Sequence, residues 1–274
     1  MSDVGQKADN LGQRADDSDW LDHAVRLGLV AYGIVHLMIA WLAFQLALGD
    51  QSGSASSKGA LQQLAQEDYG VILIWMIAVG MMLLVIWRLI EAFAGYREEQ
   101  DDSKRLRKRL TSLGKAVIYG VLAVTAVKVA TGSASGGSSS DSMTAKVMDW
   151  PGGQLIVGAV GLAIMGYGAN LVRRAWTEKF REHLDAEGTS GESGRAYIIF
   201  GKAGYTSKGI AFMVVGGLFV YAAITHEAKK SGGLDQALHK VLQQPFGPFL
   251  LGAIAIGIGC YGLFCFARAR HLSR

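Results

Sequence analysis

The sequence predicts an all-α, polytopic membrane protein with six transmembrane helices. Half of the 274 residues are hydrophobic and only 18% are charged, whereas soluble domains carry about 25% charged residues. The chain also holds 36 glycines against 3 prolines. Six long stretches carry almost no charge, and a helix of about 20 apolar residues crosses a bilayer core roughly 30 Å thick. These stretches therefore suit hydrocarbon better than water.

The predicted spans follow one another in pairs. Residues 1–19 contain five aspartates and little to bury, so we expect a disordered cytoplasmic tail. The first span has 22 residues without a formal charge (48 − 27 + 1). The third is the weakest, because Lys115 and Lys128 flank only 12 uncharged residues (127 − 116 + 1), although long lysine stems can reach the interface. The spans are predicted at about 27–48, 71–93, 113–131, 155–172, 203–225 and 246–267.

The basic residues of the connections predict the orientation. The second and fourth connections hold six Lys or Arg residues each, whereas the first, third and fifth hold one, one and three. Cytoplasmic loops carry the excess of basic residues in membrane proteins. Both termini are therefore expected in the cytoplasm, in a multi-pass protein of the plasma membrane.

The three hydrophobic pairs form an internal repeat of parallel topology. A Tyr or Lys followed by Gly recurs near the inner end of the odd-numbered spans. The glycines of these pairs are 87 (120 − 33) and 89 (209 − 120) residues apart. Each outer loop ends in an aromatic, glycine-containing turn before the chain re-enters the membrane. We place the repeats at 20–96, 105–176 and 195–271, and expect a pseudo-threefold bundle. The recurring pairs are Tyr32-Gly33, Tyr119-Gly120 and Lys208-Gly209, and the turns are Asp68-Tyr69-Gly70, Trp150-Pro151-Gly152 and Pro245-Phe246-Gly247.

These residues resemble a family of bacterial membrane proteins, domain-of-unknown-function family 1206. The similarity lies in three repeats of two spans, in a glycine-rich odd helix that begins like residues 204–210 (GYTSKGI), and in an outer segment like residues 237–247. The third repeat matches best. The second departs most, because no Gly-Tyr pair precedes Tyr119. The resemblance covers roughly residues 20–270 and implies the fold and the location, without an activity.

His36 is the titratable side chain that we single out near the middle of a span. Burying an ionisable group at that depth is costly, so it is by default a functional candidate. A neutral imidazole that hydrogen-bonds a neighbouring helix is the structural alternative. The equivalent positions in the other repeats, about Ala123 and Phe212, are apolar, so any role of His36 is not threefold.

Other polar residues in the spans have both structural and functional interpretations. Arg88 and Glu91 stand three residues apart and predict an ion pair within one helix. Lys128 is expected to extend toward the outer interface or to bind an anionic headgroup. With His36, the side chains of Tyr32 and Tyr119 would lie near the axis of the bundle.

Six glycines, three in the odd-numbered spans and three in the sixth span, predict close helix packing, because small residues allow two backbones to approach. A glycine-lined groove for lipid or quinone is the alternative. The packing positions are Gly33, Gly120, Gly209, Gly252, Gly259 and Gly262.

The basic run in the second connection has two interpretations. It is typical of a cytoplasmic loop, and it is also a candidate site for anionic lipid. The basic residues of the chain sit in separate loops rather than along one stripe, so we expect no nucleic-acid partner. The run consists of Lys104, Arg105, Arg107, Lys108 and Arg109.

The sequence contains no Ser-His-Asp set, no paired carboxylates within the spans and no cofactor or metal-binding motif. We therefore expect a protein that is not an enzyme and has no cofactor. The preferred interpretation is a structural or accessory component of the cell envelope that associates with lipid or with another envelope protein. The alternative is a small transporter or channel along the pseudo-threefold axis.

Overall fold

A computed structural model describes residues 19–50, 53–94, 101–133, 139–227 and 230–272 of the chain. The tail predicted at 1–19 lies outside these ranges except for its last residue, which begins the first helix. The described residues form helices and connections and no β-strand. The α-helices are α1 (Asp19–Ala47), α2 (Ser57–Leu64), α3 (Gly70–Ala94), α4 (Asp102–Ala130), α5 (Ser139–Met148), α6 (Gly153–Trp176), α7 (Gly191–Thr225), α8 (Leu234–Leu242) and α9 (Gly247–Arg270).

Six of these helices, α1, α3, α4, α6, α7 and α9, are long and apolar enough to cross a membrane. This confirms the predicted fold class of an all-α protein with six spans. Large apolar side chains on these helices remain exposed; Leu155 and Phe249, for example, are each 80% exposed. Apolar surface of this extent marks contact with a membrane or a partner. The short helices α2, α5 and α8 each precede an even-numbered span.

Helices α4 and α7 begin more than ten residues before the predicted spans. Helix α4 starts 11 residues earlier (113 − 102) and α7 starts 12 residues earlier (203 − 191). Asp101 caps α4, because its side chain accepts hydrogen bonds from the backbone N–H groups of Ser103 and Lys104. Charged residues suit an exposed helix as well as a loop, so hydropathy alone does not separate the two. The basic run at 104–109 consequently lies on a helix.

A tight elbow with the same geometry joins each short helix to the following span. The first N–H group of α3, α6 and α9 donates to the carbonyl three residues earlier, at 2.8 Å in all three cases. A Cβ atom on the first residue of each span would lie 1.6–2.0 Å from a carbonyl oxygen at the end of the preceding short helix. Only glycine fits at that distance. The elbow glycines and those carbonyls are Gly70 with Leu64, Gly153 with Val147, and Gly247 with Leu242.

The chain divides into two compact units. The first comprises Met1–Tyr32 and Leu64–Ala134, and the second comprises Gly33–Gln63 and Ser135–Arg274. In the first unit, α3 packs against α4 and against the first half of α1. In the second unit, α7 packs against both α6 and α9, and α9 also contacts the second half of α1.

Three of the predicted packing glycines lie at close helix contacts within the second unit. A Cβ atom on Gly33 would lie 2.9 Å from the carbonyl oxygen of Gly262, and a Cβ on Gly262 would lie 2.9 Å from that of Gly33. A Cβ on Gly209 would lie 2.6 Å from the carbonyl oxygen of Gly168. These backbones are too close for any larger residue without movement of the helices.

The other three predicted glycines have more space. A Cβ atom on Gly120 would lie 4.0 Å from Val85 Cγ2, and one on Gly259 would lie 3.5 Å from Ala40 Cβ, which are ordinary contacts. At Gly252, no described neighbour comes within 4 Å of a Cβ atom built there. The glycine of each recurring pair nevertheless faces an even-numbered span, which supports the predicted register.

We expect Gly168→Ala to destabilise the protein by about 1–3 kcal/mol, since its new methyl group would overlap the backbone of α7. Gly166→Ala is a matched control on the same helix, because no described atom lies within 4 Å of its Cβ position. The control should be neutral or stabilising by up to about 1 kcal/mol, because alanine has the higher helix propensity. Unfolding in mixed micelles measures both variants, and equal stabilities would contradict the close contact.

Candidate functional site

The second unit places His36 of α1 beside Lys208 of α7. The Nε2 atom of His36 lies 3.1 Å from the Nζ atom of Lys208. His36 is 8% exposed, and Lys208 is partly buried. The two residues are 172 positions apart in the sequence, so this pairing is a product of the fold. The structure therefore places the predicted His36 at a hydrogen bond between two spans.

Tyr261 of α9 completes this cluster. The Nζ atom of Lys208 lies 3.9 Å from the centroid of the Tyr261 ring, and the ring centroids of His36 and Tyr261 are 4.9 Å apart. A cation over the face of an aromatic ring is attracted by its quadrupole, more strongly where water is excluded. Three spans, α1, α7 and α9, thus each contribute one side chain. We call His36, Lys208 and Tyr261 the Lys–His cluster.

The chemistry of the Lys–His cluster follows from its donors and acceptors. An ammonium group on Lys208 is a donor only, so it donates to an unprotonated Nε2 of His36 and fixes the ring proton on Nδ1. The same contact allows a proton to pass between the amine and the imidazole. The cluster can therefore stabilise the packing of three helices or handle a proton.

An aromatic column leads from the Lys–His cluster to the connection between α6 and α7. The ring of Tyr205 lies 5.3 Å from that of Tyr261 and stacks on Phe180 at 5.5 Å. Phe264 packs edge-on against Phe180 at 5.3 Å. Phe180 is 1% exposed although it belongs to a connection rich in charged residues. Phe180 therefore anchors this connection by packing against Tyr205 of α7 and Phe264 of α9.

Polar contacts fasten the same connection, residues 177–190, which we call the strap. Glu178 pairs with Lys202 at 2.7 Å and with Arg181 at 2.8 Å. The hydrogen bonds from Lys202 and then Arg181 hold the pKa of the Glu178 carboxyl below its ordinary value of 4.5. These two ion pairs therefore contribute to folding stability at pH values above 4.5, and this contribution is lost as the pH falls through the lowered pKa of Glu178. It is small, because the pair is accessible to solvent.

The end of the strap contacts the C-terminal residues. Asp185 accepts from or pairs with the His271 ring, with Oδ1 and Nδ1 at 3.2 Å. The backbone N–H of Asp185 also donates to the carbonyl of His271 at 3.1 Å. The strap is therefore held against the C-terminal end of α9.

In the first unit, Arg88 and Glu91 form the predicted ion pair within α3. The pair extends to the next span, because Ser112 Oγ of α4 donates to Glu91 Oε2 at 3.0 Å. Arg88 is 5% exposed and Ser112 is 1% exposed. The guanidinium of Arg88 also lies 3.9 Å from the ring centroid of Trp87. This network links α3 to α4 at the end of α3 nearest their connection.

The remaining predicted residues lie elsewhere. Tyr32 and Tyr119 meet edge-to-face in the first unit, with ring centroids 5.2 Å apart. Lys128 is exposed in the last turn of α4, where a cation is favourable near the helix terminus. In the basic run, Lys104 pairs with Asp101 at 3.6 Å and Arg105 pairs with Asp102 at 3.0 Å. The exposed members of the run are Lys104, Arg107 and Lys108.

Sequence reasoning missed Lys208, Tyr261, Phe180 and Ser112. Lys208 occupies the position of Tyr32 and Tyr119 in the recurring pair, and that departure from tyrosine was the one available signal. Within the described residues, no group of three His, Cys, Asp or Glu side chains is arranged to hold a metal ion.

Comparisons with known proteins agree with the repeat. The family described as Domain of Unknown Function (DUF1206) matches the chain three times, at residues 27–95, 110–178 and 203–271. The chain is also similar to "Uncharacterized protein YxxB" of Bacillus subtilis (strain 168), with 27% identity over 251 residues, covering 92% of this chain and 91% of that protein. No solved structure matches.

Proposed function

The chain belongs to the DUF1206 family, and we propose that it is a non-enzymatic membrane protein that acts by association, as a structural or accessory component of the cell envelope. Its partners would be lipid or another envelope protein. The proposal includes the plasma membrane as the location, both termini in the cytoplasm and a pseudo-threefold arrangement of the three repeats.

The observation that carries this proposal is how the polar side chains within the spans are used. His36, Lys208 and Tyr261 contact one another across three helices. Arg88 and Ser112 both meet Glu91 across two helices. Polar contacts of this kind hold membrane helices together. The extensive apolar surface of the spans is then available for association with lipid or with a partner protein.

Transport is the second candidate, and the Lys–His cluster specifically favours it. An amine and an imidazole at hydrogen-bonding distance within the spans are suited to exchange a proton. His36 would then be required for flux. The structural role requires His36 only for packing.

One preparation tests both candidates. The full chain is purified in mild detergent, its bound proteins and lipids are measured by mass spectrometry, and it is reconstituted in liposomes for proton and ion flux. Association predicts a defined lipid or protein component and a flux equal to that of empty liposomes. Flux that falls to this background in His36→Ala, in a variant that is still folded, would overturn the proposal in favour of transport.

The predicted topology has its own test in a background lacking Cys260 and Cys265. We expect a membrane-impermeant thiol reagent to label Ser54→Cys in intact cells, because the first connection faces outward. Ser103→Cys should be labelled only after permeabilisation, because it precedes the basic run. Equal labelling of both variants in intact cells would contradict the orientation.

A further inference from the structure

Arg88 and Arg109 offer hydrogen-bond donors that the described residues leave unused. A guanidinium has five N–H donors, and the contacts of Arg88 are one ion pair, to Glu91, and the ring of Trp87. The Nε atom of Arg88 is buried without a hydrogen-bond partner. The same is true of Nε of Arg109. A buried, charged donor without an acceptor is unfavourable.

The two arginines belong to one region of the first unit. Ser112 Oγ and Arg88 Nη1 meet on the same oxygen of Glu91, which fixes α4 against α3 at this level. Arg109 lies three residues before Ser112, so the two are neighbours on one face of α4. Arg109 therefore lies on the side of α4 from which Ser112 reaches Glu91. We call Arg88, Arg109, Glu91 and Ser112 the arginine site.

The arginine site lies near the end of α3 that leads into the second connection. Arg88 lies six residues before the end of α3 (94 − 88), about 9 Å along the axis, and Trp87 beside it has the amphipathic ring that is enriched at membrane interfaces. By the proposed topology this is the cytoplasmic leaflet, where anionic lipids are concentrated.

The charges indicate which headgroup fits. Two guanidinium groups and one carboxylate leave a net charge of +1, which one phosphodiester neutralises. Arginine also matches phosphate oxygens with paired, charge-assisted hydrogen bonds. Elsewhere in the basic run, Lys104 and Arg105 already have aspartate partners. Arg88 and Arg109, whose Nε atoms are buried without a partner, are therefore better placed than those two residues to select a lipid.

We propose that the arginine site binds the phosphodiester headgroup of an anionic phospholipid between the cytoplasmic ends of α3 and α4. This inference rests on the proposed association with lipid and names the lipid class and the residues. Glu91, which also accepts from Ser112, positions the Arg88 guanidinium, and the phosphate oxygens accept hydrogen bonds from the unused Nε–H groups.

The test is native mass spectrometry of the full chain in detergent with equimolar phosphatidylglycerol and phosphatidylcholine of identical acyl chains. The wild type should retain phosphatidylglycerol preferentially. Arg109→Gln should weaken that retention about tenfold, the effect of losing one hydrogen bond to a charged group. Arg195→Gln is the control, an exposed arginine on α7 outside the basic run, and should change retention less than twofold.

Two further arms make the result decisive. The double variant Arg88→Gln with Glu91→Gln removes both charges of the ion pair together, and should also lose the preference for phosphatidylglycerol. A large excess of inorganic phosphate should not displace the lipid; displacement would overturn the lipid assignment in favour of a site for free anions. Equal retention by Arg195→Gln and Arg109→Gln would overturn the site. If flux depended on His36 while the preference for phosphatidylglycerol was unchanged, the lipid site would stand and only the proposed function by association, without transport, would be contradicted.

Discussion

Phe180→Ala is expected to lower the free energy of unfolding by about 3–5 kcal/mol, the cost of removing a buried aromatic ring. The ring is 1% exposed and packs against Tyr205 and Phe264. A Cβ atom on Gly201 would lie 2.3 Å from the Phe180 ring, so α7 is shaped to receive it. Chemical unfolding in mixed micelles measures the loss.

Phe249→Ala is the matched control for the anchor of the strap. Phe249 is 80% exposed on α9, where lipid can fill the space that the ring leaves. Its replacement should change the unfolding free energy by less than about 1 kcal/mol. If Phe180→Ala were as stable as Phe249→Ala, the strap would not be anchored by Phe180.

Lys208→Met should destabilise the protein by about 2–4 kcal/mol. The substitution keeps the length of the side chain but leaves His36 Nε2 buried without its donor, and it removes the cation from the Tyr261 ring. The double variant Lys208→Met with His36→Leu should recover most of this loss, because an apolar replacement of a buried polar pair is often neutral or stabilising. Unfolding of the four proteins of this double-mutant cycle gives the coupling free energy.

The pattern across the cycle is the decisive result. A structural cluster requires the double variant to be more stable than Lys208→Met alone. Additive losses would contradict a direct interaction between the two side chains. Lys202→Met, on the exposed ion pair with Glu178, serves as the control for removing a lysine and should cost less than about 1 kcal/mol.

The fold could be predicted from the sequence because each span is a local property of the chain. Some twenty apolar residues in a row have few stable environments outside a membrane, and the repeat supplies the same signal three times. The starts of α4 and α7 were not predictable in this way, since the charged residues from 102 to 112 and from 191 to 202 suit an exposed helix and a loop equally.

The candidate site could be predicted only in part, because it depends on contacts between distant residues. His36 was identified from its depth in a single span. Its partner Lys208 was not, since a lysine near the end of a span is normally assumed to reach toward water. The pairing becomes visible only when α1 and α7 are brought together.

Phe180 illustrates a second limit. It stands between Lys179 and Arg181 in a connection that composition assigns to solvent, and its burial depends on the space beside Gly201. A lone aromatic residue in a charged connection is the only sequence signal of such an anchor. Ser112 was missed for a similar reason, because its role arises from the position of Glu91 on another helix.

The elbows at Gly153 and Gly247 have a mechanical consequence within the second unit. Because each glycine lies against a carbonyl oxygen of the preceding short helix, the joint has no room to close further. We therefore expect α5 to move with α6, and α8 to move with α9, when these spans tilt. Two spin labels, one on the short helix and one on the span that follows it, should then keep a constant separation.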